Sequence, residues 1–128
     1  MRLTGGEVVA HALVRHGVPY VVGIPGHGNW ALIDALRRVD PPIRFLQAIH
    51  EQSAVHLADA YHRASGRPLV ATTSIGPGAT NTVIGMATAY VDSSAVLLLT
   101  GAPHTYMRGH SVLQELDRLH PADFPRVM

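Results

Sequence analysis

The sequence has no cysteine, no lysine and no long apolar run. The first absence excludes disulfides and zinc–thiolate sites, and it is compatible with a reducing compartment. The longest strongly apolar stretch, Ala95 to Leu99, is far shorter than the roughly 20 residues a membrane-spanning helix needs. Charge of one sign is also lacking: the formal net charge is +1, and all ten basic residues are Arg. That balance leaves no electrostatic footprint for nucleic acid or an acidic membrane surface. The first residues, Met1 to Glu7, place an acid where a signal peptide would need its apolar stretch. The chain therefore reads as soluble and cytoplasmic, without nucleic-acid or membrane partners.

What is present suits a single folded domain over residues 1–128: 47% of residues are apolar and only 15% charged, which argues against disorder. Thr4 followed by Glu7 is a capping-box pattern, so a helix should begin near Gly5, with Val9 and Leu13 on one face and Gly17 stopping it. Tyr20 to Ile24 reads as a buried strand, and Asn29 is placed to cap a helix from Trp30 to about Val39. Ile43 to Ala48 is the second strand, followed by a helix from about Gln52 to Ala64 that turns Ala54, Ala58 and Tyr61 to one face. Pro68 to Thr73 is the third strand, and a helix from about Ala79 to Val91 should turn Ile84, Ala87 and Val91 inward. Ala95 to Thr100 is the fourth strand, and a short helical stretch is expected from Val112 to Leu119. Continuous apolar strands alternating with helices predict an α/β fold: a doubly wound, mostly parallel sheet covered on both faces. The end, a polar stretch containing Pro121 and Pro125, looks abrupt for such a fold, so the domain is expected to be incomplete there.

Ligands of open parallel sheets bind beyond the carboxyl ends of the strands. Each predicted strand here runs into a distinctive loop: residues 25–29, His50-Glu51, Gly76-Pro77-Gly78 with Thr80-Asn81, and 101–104. Glu51 is the only carboxylate among them. A lone acid in an apolar, Gly/Pro-lined edge is expected to have its ionised form disfavoured, which would suit a general acid/base. Equally, an acid in the first turn of a helix is favoured by the backbone dipole alone. The Gly76-Pro77-Gly78 turn could cradle a phosphate at a helix start or be simply a tight turn. Nine histidines invite a metal, but His11/His16 and His56/His62 have the wrong helical spacing for a shared ligand face, and no metal site is expected. His27, His104 and His110 lie on candidate site loops as possible substrate contacts.

Read together, the loops carry a resemblance. Gly23-Ile24-Pro25-Gly26, His50-Glu51-Gln52-Ser53-Ala54, Ala58-Asp59-Ala60-Tyr61, Ala64-Ser65-Gly66-Arg67-Pro68 and Gly76-Pro77-Gly78-Ala79-Thr80-Asn81 occur in order, followed by Leu99-Thr100-Gly101 and Gln114-Glu115. Over essentially its whole length the chain resembles the N-terminal pyrimidine-binding domain of thiamine-diphosphate-dependent enzymes, in the acetolactate synthase-like branch. The resemblance implies that Glu51 hydrogen-bonds N1′ of the cofactor's aminopyrimidine and thereby promotes proton loss from C2 of the thiazolium. It implies a pocket lined by Ile24, Pro25, Gly26, Pro77 and Asn81, with Gln114 reaching in from the tail, and it assigns the Gly76-Pro77-Gly78 turn to the organic rings rather than the diphosphate.

The implied reaction is carboligation or decarboxylation of a 2-oxo acid such as pyruvate, carried out by a homodimer or homotetramer. Departures from the acetolactate synthase pattern are Ile24 in place of an aromatic residue, and His27 and Ser53 in place of Gly. The family's Gly-Asp-Gly motif for Mg²⁺ and diphosphate does not occur in the chain. The resemblance therefore implies a separate diphosphate-binding domain, in the same or another subunit, and a central domain that carries FAD in some members. By that account the isolated chain is inactive. It would be part of a larger enzyme chain, or a separately encoded subunit of a split 2-oxo acid decarboxylase. A non-catalytic binding module of the same fold is the remaining alternative, which has no use for Glu51.

Overall fold

Helix α1, Gly5–Arg15, starts where Thr4 and Glu7 close a capping box: the Glu7 carboxylate accepts from the Thr4 backbone at 2.7 Å, and Thr4 Oγ1 accepts from the Glu7 backbone. Gly17, at φ +65°, turns the chain after it toward strand β1, Tyr20–Gly23. A computed structural model describes residues 2–107, 110 and 112–115. Beyond β1 the elements alternate as expected: α2 Trp30–Arg38, β2 Arg44–Gln47, α3 Glu51–Ser65, β3 Leu69–Thr73, α4 Pro77–Thr80, α5 Val83–Val91 and β4 Val96–Thr100. A 3₁₀ turn, Thr105–Met107, follows. No helix among the described residues is long and apolar enough to cross a membrane.

The four strands among the described residues are all parallel, in the order β2-β1-β3-β4. Alternate side chains of each strand serve opposite faces. Val21 and Val70 join Ala10 and Leu13 of α1 and Ala35 and Leu36 of α2 in one core. Val22, Leu69 and Ala71 join Ala54, Val55 and Ala58 of α3 in the other, with Tyr61 and Met86 packed against it. Helices thus cover both faces, and the chain reverses its direction of winding between β1 and β3, the position where such sheets open a crevice.

Four expectations are corrected. The predicted helix from Ala79 to Val91 is two helices, because the chain tightens at Thr82: both its N–H and its Oγ1 donate to Ala79 O, and the residue is fully buried. That break resets the phase of α5. Gly85 and Ala89 are buried, while Ile84 and Val91 are 64% and 79% exposed and Ala87 also faces outward. Asn29 precedes α2 but makes no side-chain cap bond, being committed elsewhere. In the tail, the described residues 112–115 form a turn and not a helix; the rest of the expected helix, with Pro121 and Pro125, lies outside the described residues.

Candidate functional site

The first turn of α3 begins at the carboxyl edge of the sheet, one peptide beyond His50. That residue caps the helix in extended conformation, its Nδ1 accepting from the Gln52 N–H at 3.2 Å. Histidine is not a common cap, and the sequence gives no sign of this role. Glu51 is therefore the first helical residue, where the backbone dipole favours an acid. Its half-buried side chain extends to the α4 segment. The Asn81 Nδ2–H donates to Glu51 Oε2 at 3.0 Å. Glu51 Oε1 lies beside Gly78, where an added Cβ would stand 3.0 Å from it. Two residues that sequence reasoning assigned separately, thirty positions apart, thus meet directly.

The turn that presents Gly78 and Asn81 lies against the described part of the tail. Gly76 sits at φ +57°, a conformation that strains any residue with a side chain. A Cβ there would overlap the Gln114 carbonyl, so Gln114 lies against the turn. Pro77, at the first position of α4, is exposed.

Ile24, Pro25 and Gly26 leave the end of β1 alongside the end of β3. The Ile24 N–H donates to Thr72 O at 3.3 Å, and a Cβ on Gly26 would collide with Ser74. Asn29, 4% exposed, binds this loop together: its Oδ1 accepts from the Gly26 N–H at 2.8 Å, and its Nδ2 donates to Ile24 O and to Thr72 Oγ1. Its role as the staple of the β1 loop is what the capping expectation missed. The Pro-Gly-x-Gly-Asn spacing was the available signal, since an irregular loop carries backbone groups that only a nearby polar side chain can satisfy.

The three candidate histidines are exposed. His104 stacks on Tyr106 with ring centroids 5.4 Å apart, and the His110 N–H donates to Met107 O. No hydrogen bond or ring contact among the described residues links His27, His104 or His110 to Glu51. Nor do the described residues contain a group of three or more His, Cys, Asp or Glu able to hold a metal. A cleft of about 480 Å³ opens elsewhere, lined in part by Gly5, Gly6, Gly28, Leu99 and Gly101; Glu51 is not among its lining residues.

Comparison with known proteins gives a consistent result. The family model described as "Thiamine pyrophosphate enzyme, N-terminal TPP binding domain" matches residues 3–120. A probable acetolactate synthase large subunit of Methanocaldococcus jannaschii is 43% identical over 117 residues, covering 91% of this chain and 20% of the relative. Acetolactate synthase of Arthrospira platensis is 41% identical over 118 residues, with 91% and 20% covered. The acetolactate synthase isozyme 3 large subunit of Escherichia coli K12 is 42% identical over 115 residues, with 90% and 20% covered. The chain spans about a fifth of the length of these relatives.

Proposed function

The chain belongs to the thiamine pyrophosphate enzymes, as their N-terminal TPP binding domain, and from that premise we propose that Glu51 is its activating carboxylate. The reading is that of a pyrimidine-binding domain in an acetolactate synthase-like enzyme acting on 2-oxo acids. The observation that carries it is the placement of Glu51 at the sheet's carboxyl edge, one oxygen held by Asn81 and the other beside Gly78, a residue without a side chain.

That donor set fits an aminopyrimidine. Oε2 is occupied by a neutral amide, and among the described residues Oε1 is left open to share a proton with a ring nitrogen. Ile24, Pro25, Gly26, Pro77 and Gln114 would shape the pocket around it, Gln114 by backing the Gly76 turn. His27, His104 and His110 would contact substrate. When bound, thiamine diphosphate supplies an acidic thiazolium carbon that serves as nucleophile and electron sink toward a 2-oxo acid. The protein's part is to hold one proton at Glu51 Oε1 and to keep the ring nitrogen and that oxygen in register. Mg²⁺ and the diphosphate would be held by a diphosphate-binding domain of the same or another subunit of a homodimer or homotetramer. FAD, where an enzyme of this branch uses it, would occupy a further domain. The isolated chain would then complete no active site.

The test is Glu51→Gln in the assembled enzyme, read by hydrogen–deuterium exchange at C2 of bound cofactor. Exchange should fall by about 10²–10⁴-fold, the usual worth of a positioned acid/base, with the far-ultraviolet circular dichroism unchanged. Exchange at the parental rate would sink the assignment.

A further inference from the structure

Asn81 occupies the two-residue break between α4 and α5, and its backbone there is held on both sides. Its N–H donates to Pro77 O at 3.0 Å, and the adjacent Thr82 is fully buried with its hydroxyl on Ala79 O at 2.6 Å. From that fixed backbone the side chain crosses to the first turn of α3 and donates to Glu51 Oε2. An amide nitrogen can only donate and an ionised carboxylate can only accept, so this bond is made without competition for the proton. The other oxygen stands where α4 presents a glycine.

We propose that Asn81 is a positioning residue that acts through Glu51, tying down Oε2 so that Oε1, kept clear by Gly78, is the oxygen that handles the proton. The inference rests on the reading of Glu51 given above. It differs from a direct cofactor contact, the role that the family resemblance implies for Asn81. With its donor spent on Glu51, Asn81 controls the orientation of the carboxylate, and its loss should affect proton transfer more than binding. Gly78 has a complementary part, since even a methyl group there would press on Oε1.

The contact can be read in the 128-residue chain without cofactor. The sequence has two asparagines, Asn29 and Asn81, so ¹⁵N-asparagine labelling yields two side-chain amide pairs. Glu51→Ala should move the Asn81 pair upfield and speed its exchange with solvent by at least about tenfold, the loss of one charge-assisted hydrogen bond. The Asn29 pair, buried in the β1 loop, should not move, which certifies the fold. An unmoved Asn81 pair overturns the proposal.

In the assembled holoenzyme, Asn81→Ala and the isosteric Asn81→Asp should each lower C2 exchange at saturating thiamine diphosphate by at least about tenfold. The cofactor dissociation constant should stay within about threefold, less than half a tenfold step. Gly78→Ala, which leaves the Asn81 donor in place, should also slow exchange. Weakened cofactor binding with intact exchange would identify Asn81 as a direct ligand and overturn the positioning role. Exchange abolished by Glu51→Gln but indifferent to both Asn81 variants overturns that role alone. Indifference to Glu51→Gln removes the reading of Glu51 and the positioning role together.

Discussion

Asp59 shows how much a single side chain can do that its position in the sequence does not announce. It is buried, four residues before Arg63 on α3, and both of its oxygens accept from the guanidinium at 3.0–3.1 Å. Arg63 Nη2 also donates to Asp92, just past α5, so one guanidinium joins the two helices. The hydrogen bonds from Arg63, then one from Ser94, hold the Asp59 carboxyl below the usual carboxylate range, with Arg63 and His56 adding Coulombic attraction. A carboxyl whose folded-state pKa is depressed stabilises the fold above its unfolded pKa, near 4, and loses that contribution as pH falls through the depressed value. Stability should therefore drop on acidification below about pH 4. Arg63→Ala should flatten this acid limb, as followed by urea midpoints across pH; parallel limbs in the two proteins would show that the pair is not the cause. The i,i+4 spacing is visible in the sequence, but Asp92 and Ser94 are not. The same holds at the site: Glu51 was legible as the lone acid of the strand-end loops, whereas its bond to Asn81 depends on how α4 ends.

At the scale of elements, periodicity read the strands to within a residue or two and the helices almost as well, because apolar runs and glycine stops are local signals. It failed on α5, where phase depends on a break created by the tertiary burial of Thr82. The consequence is that α5 meets α3 through its smallest residue. A Cβ at Gly85 would stand 2.8 Å from Val55 Cβ, and Val55 is fully buried and stiff at χ1. On propensity alone, glycine to alanine inside a helix should stabilise by up to about 1 kcal/mol. Overpacking costs about 1–3 kcal/mol and should win here. Gly85→Ala is expected to lower stability by about 1–2 kcal/mol net, measured by denaturant unfolding. A stabilised variant would mean that α5 can slide away from α3 freely.

For the molecule as a whole, the alternation of strands and helices announced a parallel sheet, but no local pattern announces the order β2-β1-β3-β4. That order decides which strands are flanked on both sides. β3, central, is buried at every position, while β4 has no fully buried residue although its run Val96-Leu97-Leu98-Leu99 is as apolar as that of any central strand. The opposite edge, β2, exposes Arg44 and Gln47, polar side chains of the kind that discourage edge-to-edge pairing. β4 carries no charged residue: Leu97 is 44% exposed, and a cleft is lined by Leu98, Leu99 and the start of α1. An uncharged apolar edge is a template for another strand. The 128-residue chain in isolation is therefore expected to self-associate with rising concentration in sedimentation velocity. Leu97→Lys, which puts a charge on the edge at a half-exposed position, should shift it toward monomer without lowering its unfolding midpoint. If parent and variant sediment alike as monomers at every concentration, the β4 edge is not adhesive, and the apolar character of its run reflects only the packing of Val96 and Leu98 against the α3 face.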